Sequence, residues 1–309
     1  MEADAATTAR TLAPAKVNLV LRIGAKRGDG FHELITIFQA VSLADEVEVE
    51  FHPVDRSVRD AVNEVNLVVD GPDLGPVEQN LAWRAASAFL GTSGHRGAVS
   101  IHLTKHVPAG AGLGGGSSDA AAVLRCLAAL SGFADRDALH QMASRLGSDI
   151  TFFLGTSPTA IGRGRGERIE AVAALPERRL ALALPPVHVA TGFAYEALAA
   201  SRAGAPPVSL PKLDALVSWD ELLNGLAVND FETTVAAANP PVAQSLAALR
   251  GAGARLAMLS GSGAASFGLF CDARAAADTG RECATLSRSL GWPVISCATL
   301  TRMPDIDLK

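Results

Sequence analysis

Apolar and polar positions alternate over Leu12 to Ile23 and again over Asp45 to Phe51, and a run rich in β-branched residues covers Val65 to Val69; each predicts a strand. Apolar residues recur at helical spacing from Asn80 to Leu90, and a strand is expected again at Val99 to Leu103. That strand leads through Pro108 into a glycine-rich stretch. An alanine-rich helix is expected next at Ser118 to Leu130, then a second at about Asp135 to Leu146. A short apolar segment follows Asp149, and the turn-rich Gly162-Arg163-Gly164-Arg165-Gly166-Glu167 closes this half. The second half opens with a strand near Leu180 and a helix from about Phe193 to Ser201. A Pro-rich connector at Ala205 to Pro211 then precedes a mostly helical stretch. Arg255 to Leu259 and Ser266 to Cys271 read as strands on either side of Ser-Gly-Ser-Gly, followed by a helix at Ala273 to Leu290 and a strand at Val294 to Ala298. Strands and helices mixed in this order predict an α+β fold.

The chain has 309 residues, and at about 150 residues per domain two domains are expected; 49% hydrophobic residues suffice for two cores. A net charge of -5 with no block of like charges lacks the electrostatic footprint of a nucleic-acid binder or a basic membrane-surface protein. An anionic ligand would therefore need a local device. The longest charge-free stretches, Leu180 to Tyr195, Thr233 to Leu249 and Leu256 to Cys271, fall short of the roughly 18 apolar residues of a membrane span. The first ten residues, MEADAATTAR, lack the apolar run of a signal peptide, so a cytoplasmic location is expected. Cys126, Cys271, Cys283 and Cys297 show no metal-ligand spacing and lie in or beside apolar segments, as buried reduced thiols do. Of 27 basic residues only five are lysines, Lys16, Lys26, Lys105, Lys212 and Lys309, which makes their positions informative.

Five glycines crowd into Pro108, Ala109, Gly110, Ala111, Gly112, Leu113, Gly114, Gly115, Gly116, Ser117 and Ser118, immediately before a helix. Glycine lets successive N–H groups converge on one anion, and a helix N-terminus adds about half a positive charge at the same point. Ser118 is expected to cap that helix and Ser117 to donate to phosphate. A Walker A loop is excluded, since Ser-Ser-Asp follows rather than Gly-Lys-Ser/Thr. The string from Gly110 to Gly115 does satisfy GxGxxG, but a dinucleotide fold needs a second strand ending in an acid about 20 residues on, where this chain has helix.

On the first strand Lys16 and Asn18 share one face about 7 Å apart, able to reach one ligand together or to form a solvated polar face. Asp149, after a turn and before an apolar run, reads either as a helix cap or as a general base kept ionised by a nearby lysine. Ser260-Gly261-Ser262-Gly263 reads as a tight turn or as backbone that approaches a phosphate or sugar.

Taken in order, the Pro14-Ala15-Lys16-Val17-Asn18-Leu19 strand, the Pro108 to Ser118 loop and the Ser260 to Gly263 loop resemble the GHMP kinase superfamily. Further segments, RGDGFHEL at Arg27 to Leu34, LGSDITFFL at Leu146 to Leu154 and NDFE at Asn229 to Glu232, are similar to the branch whose substrate is a methylerythritol carrying cytidine diphosphate. The likeness weakens between Pro53 and Glu78 and between Ala203 and Asn224. It implies an ATP-dependent alcohol kinase of isoprenoid precursor synthesis, with an N-terminal domain over 1–174 like the second domain of ribosomal protein S5 and a ferredoxin-like domain over 175–309. It also implies ATP with Mg2+ against the glycine loop, bordered by Asn80 and Lys105, without assigning metal ligands. Asp149 matches the catalytic base and Lys16 its partner. Asn18, Phe31, His32, Thr191, Tyr195 and the Ser260 to Gly263 loop fall on the substrate side, with His32 offering hydrogen bonds to the cytosine edge. Phe31 stands where the family usually has tyrosine, which keeps ring stacking and loses a hydroxyl. Tyr195 is either a second aromatic on the cytosine or an ordinary helix residue packing on the core. The partners expected are small molecules, and the assembly a monomer or weak homodimer. Another GHMP-type alcohol kinase, or a non-catalytic nucleotide-binding relative, is the alternative.

Overall fold

In a computed structural model of the chain the described residues are 7–28, 30–54, 63–204, 208–213, 217–270 and 276–309. Asp29, the connector residues from Ala205 to Pro207, Cys271 and the expected helix start at Ala273 lie outside them. The first two strands run much further than the alternation suggests: β1 spans Thr8–Lys26 and β2 His32–Pro53, paired antiparallel from Thr8 with Glu50 to Lys26 with His32. Leu34 to Val41 are all buried, so this part of β2 carries no alternating signal and reads as an undifferentiated apolar run. There follow β3 (Glu64–Asp70), α1 (Leu81–Thr92), β4 (Gly97–Thr104), α2 (Gly115–Ser131), α3 (Arg136–Leu146), α4 (Ile150–Leu154), β5 (Thr159–Gly164) and β6 (Arg168–Ala171). β4 pairs with residues 46–53 of β2 and β5 with residues 34–39, so one long strand joins two flanking groups. Phe38, Phe51, Phe89, Phe152 and the alanines of α1 and α2 form the core beneath this sheet.

The second half contributes β7 (Arg179–Ala183), α5 (Thr191–Ser201), α6 (Trp219–Glu221), β8 (Val228–Asn229), α7 (Glu232–Ala238), α8 (Pro240–Gly251), β9 (Leu256–Leu259), β10 (Ser266–Leu269), α9 (Ala276–Leu290), β11 (Val294–Ala298) and β12 (Asp307–Leu308). A four-stranded antiparallel sheet of order β11-β7-β10-β9 carries its own core around Leu249, Phe270 and Leu286. Two short strands return to the first sheet: β8 lies parallel to β1 at Val20 and Leu21, and β12 pairs with Ala9 and Arg10. Cys126, Cys283 and Cys297 are buried free thiols, and burial raises the first to a pKa of about 12 and the second to about 11. No described helix is long and apolar enough to cross a membrane.

One helix boundary differs in a way that matters. α2 begins at Gly115, three residues before the expected start, with Gly114 at its N-cap in the left-handed region. Ser118 is therefore no cap; it sits inside the first turns, buried, with a hydroxyl that has no partner among the described residues. A glycine cap donates no side chain, so the free N–H groups of the first turn stay open to a ligand.

Candidate active site

The two small-residue loops, 148 residues apart in sequence, lock together. Ser260 Oγ donates to the Gly112 carbonyl (3.0 Å), and the Ala265 amide donates to the Ala111 carbonyl (3.0 Å). Gly112 has φ +79°, and a Cβ there would overlap the Ser260 carbonyl oxygen and come 3.0 Å from that of Gly263. Only glycine fits this crossing. Asn229 anchors the second loop by donating to the carbonyls of Leu259 (2.9 Å) and Gly261 (2.8 Å), while Glu232 accepts from the Leu259 amide (2.9 Å). Asp230 accepts from the Ile23 amide (2.7 Å) and from Arg202 (2.7 Å). The NDFE segment is thus the bracket that ties the second loop to β1.

Lys16 and Asn18 do not form a solvated face; both are buried. Lys16 Nζ donates to Asn18 Oδ1 (2.7 Å) and to the Gly112 carbonyl (2.9 Å), and lies 3.6 Å from Asp149 Oδ2. Asn18 in turn donates to Thr36 Oγ1 (2.8 Å), whose hydroxyl donates to the Val20 carbonyl (2.7 Å). Burial lowers the Lys16 pKa from its usual value, opposed by the neighbouring Asp149 charge. Asp149 occupies the N-cap position of α4 but makes no cap hydrogen bond; its carboxylate turns to Lys16 and keeps 29% of its surface open. An acid freed from capping, beside a cation and open to a cavity, can accept a proton from a ligand.

That cavity, of about 220 Å³, is lined by Lys16, Asn18, Gly112, Gly114, Asp149, Thr191, Tyr195, Gly261 and Ser262 of the expected residues. Thr191 Oγ1 and Ser262 Oγ are hydrogen-bonded across its edge (3.1 Å). Tyr195 divides it from a neighbouring cavity of about 210 Å³ that includes His32 and Gly24. Here the arrangement of rings differs from the expected pair of stacking faces. His32 itself stacks on Tyr195 (centroids 5.1 Å apart), and the half-exposed Phe31 ring carries the Arg165 guanidinium at 4.7 Å. The Tyr195 hydroxyl pKa is raised by burial and by the Asp149 charge.

Two residues expected at the nucleotide turn elsewhere. Asn80 caps α1 by accepting from the Ala82 amide (2.9 Å). Lys105 points beneath the loop, where Asp45 and Asp119 take its ammonium, the latter at 2.7 Å. Burial, with the nearby Asp45 charge adding to it, raises Asp119 to a pKa of about 7 against the pull of Lys105.

A profile of the GHMP kinases N terminal domain matches residues 80–156 and one of the GHMP kinases C terminal matches residues 210–284. The 4-diphosphocytidyl-2-C-methyl-D-erythritol kinase of Anaeromyxobacter sp. (strain Fw109-5) is 40% identical over 301 residues, covering 96% of this chain and 93% of that protein. Its counterpart in Geobacter sp. (strain M21) is 38% identical over 290 residues, covering 94% and 98%. A crystal structure of 4-(cytidine 5'-diphospho)-2C-methyl-D-erythritol kinase superposes with a TM-score of 0.74 at 36% identity, covering 94% of this chain and 98% of that one. The chain belongs to the 4-diphosphocytidyl-2-C-methyl-D-erythritol kinase family. It is a small-molecule kinase with the two-domain α+β GHMP kinase fold.

Within this member of the 4-diphosphocytidyl-2-C-methyl-D-erythritol kinase family, eight cavity residues escape the sequence reading: Leu21, Leu34, Thr36, Phe38, Ser148, Arg165, Gly166 and Phe231. Thr36 and Phe38 lie in the unalternating part of β2, where nothing separates pocket from core. Arg165 lay in a segment read only as a turn. The β5–β6 hairpin gives its arginines different fates: Arg163 pairs with Glu170 (3.6 Å) and Arg168 with Glu33 (3.0 Å), whereas the Arg165 guanidinium has no carboxylate partner among the described residues and Arg165 lines the cavity.

Proposed function

We propose that this kinase transfers the γ-phosphoryl group of ATP to the 2-hydroxyl of 4-diphosphocytidyl-2-C-methyl-D-erythritol, giving the 2-phosphate and ADP, a step of isoprenoid precursor synthesis. The observation that carries this reading is the position of Lys16 Nζ, which donates to the glycine-loop carbonyl of Gly112 on one side and faces Asp149 on the other. One ammonium thus stands where a phosphate held by the loop would meet an acceptor hydroxyl. Gly115, Gly116 and Ser117 open α2, and their N–H groups receive the nucleotide phosphates with the helix dipole behind them. Asp149 takes the proton of the attacking hydroxyl, and Lys16 holds that carboxylate ionised and balances charge on the transferring group.

Among the described residues no group of three or more His, Cys, Asp or Glu side chains is arranged to hold a metal ion. Mg2+ keeps water and takes most of its other oxygens from phosphates, and the buried Ser118 hydroxyl, without a partner among the described residues, is the protein oxygen that would hold it. When bound, the ion would supply charge neutralisation on the phosphate oxygens.

At the far end, His32 Nδ1 faces the Gly24 carbonyl at 3.1 Å. A carbonyl only accepts, so Nδ1 carries the hydrogen of the neutral ring and Nε2 is left as an acceptor, complementary to the 4-amino group of cytosine. Arg165, whose guanidinium lies over the Phe31 ring and pairs with no carboxylate among the described residues, lines the same cavity as Asp149, where it would meet a diphosphate. Purified protein with Mg-ATP should release ADP with the cytidyl substrate and not with homoserine or mevalonate. ADP release with either of those and none with the cytidyl substrate would overturn the assignment.

A further inference from the structure

The buried charges beneath the glycine loop are not accounted for by substrate binding or by proton transfer. Asp45 lies in β2, Lys105 directly follows β4, and Asp119 is the fifth residue of α2; all three side chains are almost fully buried. Asp45 Oδ1 accepts from the amides of His106 and Val107 (2.7 Å for Val107), the residues that carry the chain into the loop. Asp45 Oδ2 meets Lys105 Nζ, and the same ammonium donates to Asp119 Oδ2 (2.7 Å), on the helix that carries the chain out. Lys105 Nζ lies 3.5 Å from the point where a Cβ on Gly115 would sit, directly behind the first turn of α2.

One side chain therefore spans the entrance and the exit of a loop whose glycines offer no side chains by which to be held. We propose that Lys105 is a positioning residue, which through Asp45 and Asp119 clamps both ends of the glycine loop and holds its N–H groups in their phosphate-binding arrangement before the nucleotide arrives. The proposal rests on the reading that this loop takes the phosphates of ATP. Stability alone is a poor reason for the cluster, because desolvating three charges offsets most of what their attraction returns, and apolar residues of the same volume often do as well. A glycine-rich segment, however, has much conformational freedom to lose on binding, and ordering it beforehand lowers that cost.

Amide hydrogen exchange on the nucleotide-free protein tests the clamp without depending on any substrate. In Lys105→Met, residues 106–119 should exchange faster by about tenfold or more, while the second sheet, residues 179–183 and 294–298, keeps its wild-type rates. Asp119→Asn retains the Lys105–Asp45 contact and should give a smaller increase over the same residues; it also answers the question if Lys105→Met does not fold. In turnover, the KM for ATP should rise by about tenfold in Lys105→Met with the KM for the acceptor alcohol unchanged. Wild-type exchange over 106–119, faster exchange throughout the chain, or a parallel rise in both KM values would each overturn the clamp. Should the wild type show no ATP-dependent turnover, the kinase reading falls while the exchange pattern still decides the clamp.

Discussion

Lys16→Met removes one ammonium from a site where its effects on fold and on chemistry can be separated. Methionine has similar length and fills the space over the Phe38 ring, from whose centroid Nζ lies 5.8 Å. Two hydrogen-bond acceptors lose a donor and Asp149 loses its facing charge, but the Gly112 carbonyl retains Ser260 Oγ and the part-open Asp149 carboxylate retains solvent, so the buried Asn18 Oδ1 is the acceptor left stranded, at a cost of about 1–3 kcal/mol. Against this, burial lowers the Lys16 pKa, the mark of an ammonium that is costly to desolvate, and its removal offsets part of that loss. The net change in stability should stay within about 2 kcal/mol, a few degrees in Tm. Turnover should suffer far more. Loss of one preorganised donor from a site of developing charge typically lowers kcat by about 10²–10³, or roughly 2.7–4 kcal/mol. Coupled measurement of ADP release, with thermal unfolding followed by circular dichroism, gives both numbers on one preparation. A kcat within threefold of wild type would refute the role of Lys16. A fall in Tm of more than about ten degrees would move its role from chemistry to folding.

Gly112→Ala should lower Tm by several degrees, since its Cβ meets backbone oxygens at φ +79°, whereas Gly116→Ala, whose Cβ finds only Leu81 Cδ1 at 3.7 Å, should fold with a Tm at or above wild type; equal Tm values would contradict the interlocked loops. Arg165→Ala should raise the KM for the cytidyl substrate by about tenfold while leaving kcat and the KM for ATP within threefold, and a selective loss of kcat would contradict a diphosphate contact. Because the Lys16 pKa is lowered in the folded protein, kcat/KM should fall on an alkaline limb below the usual lysine value of 10.5, a limb that Lys16→Arg moves upward. Over the same range the native state binds fewer protons than the unfolded chain, so the Lys16 contribution to stability rises with pH, and the loss of activity is not one of unfolding.

Sequence spacing disclosed the chemistry better than it disclosed the framework. Lys16 and Asn18 two apart on a strand, Asp149 before an apolar run and two small-residue loops are local signals, and the structure brings all of them to one cavity. Local signals could not show that Ser260 would cross Gly112, because nothing in either segment encodes a partner 148 residues away. They also could not separate Asn80 and Lys105 from the nucleotide side, since direction around a loop depends on which carboxylates lie beneath it. Burial on both faces erased the period of β2 from Leu34 to Val41, and with it Thr36 and Phe38. Arg163, Arg165 and Arg168 look alike in sequence; the positions of Glu170 and Glu33 distinguish Arg163 and Arg168 from Arg165.

The most direct measurement is the 31P NMR spectrum of the protein incubated with Mg-ATP and 4-diphosphocytidyl-2-C-methyl-D-erythritol, recorded for the wild type and for Asp149→Asn. The wild type should exchange the γ-phosphate resonance for one phosphomonoester resonance per ADP formed, and Asp149→Asn should do so about a hundredfold more slowly. An unchanged ATP spectrum with folded wild-type protein, or an Asp149→Asn rate equal to wild type, would contradict the account.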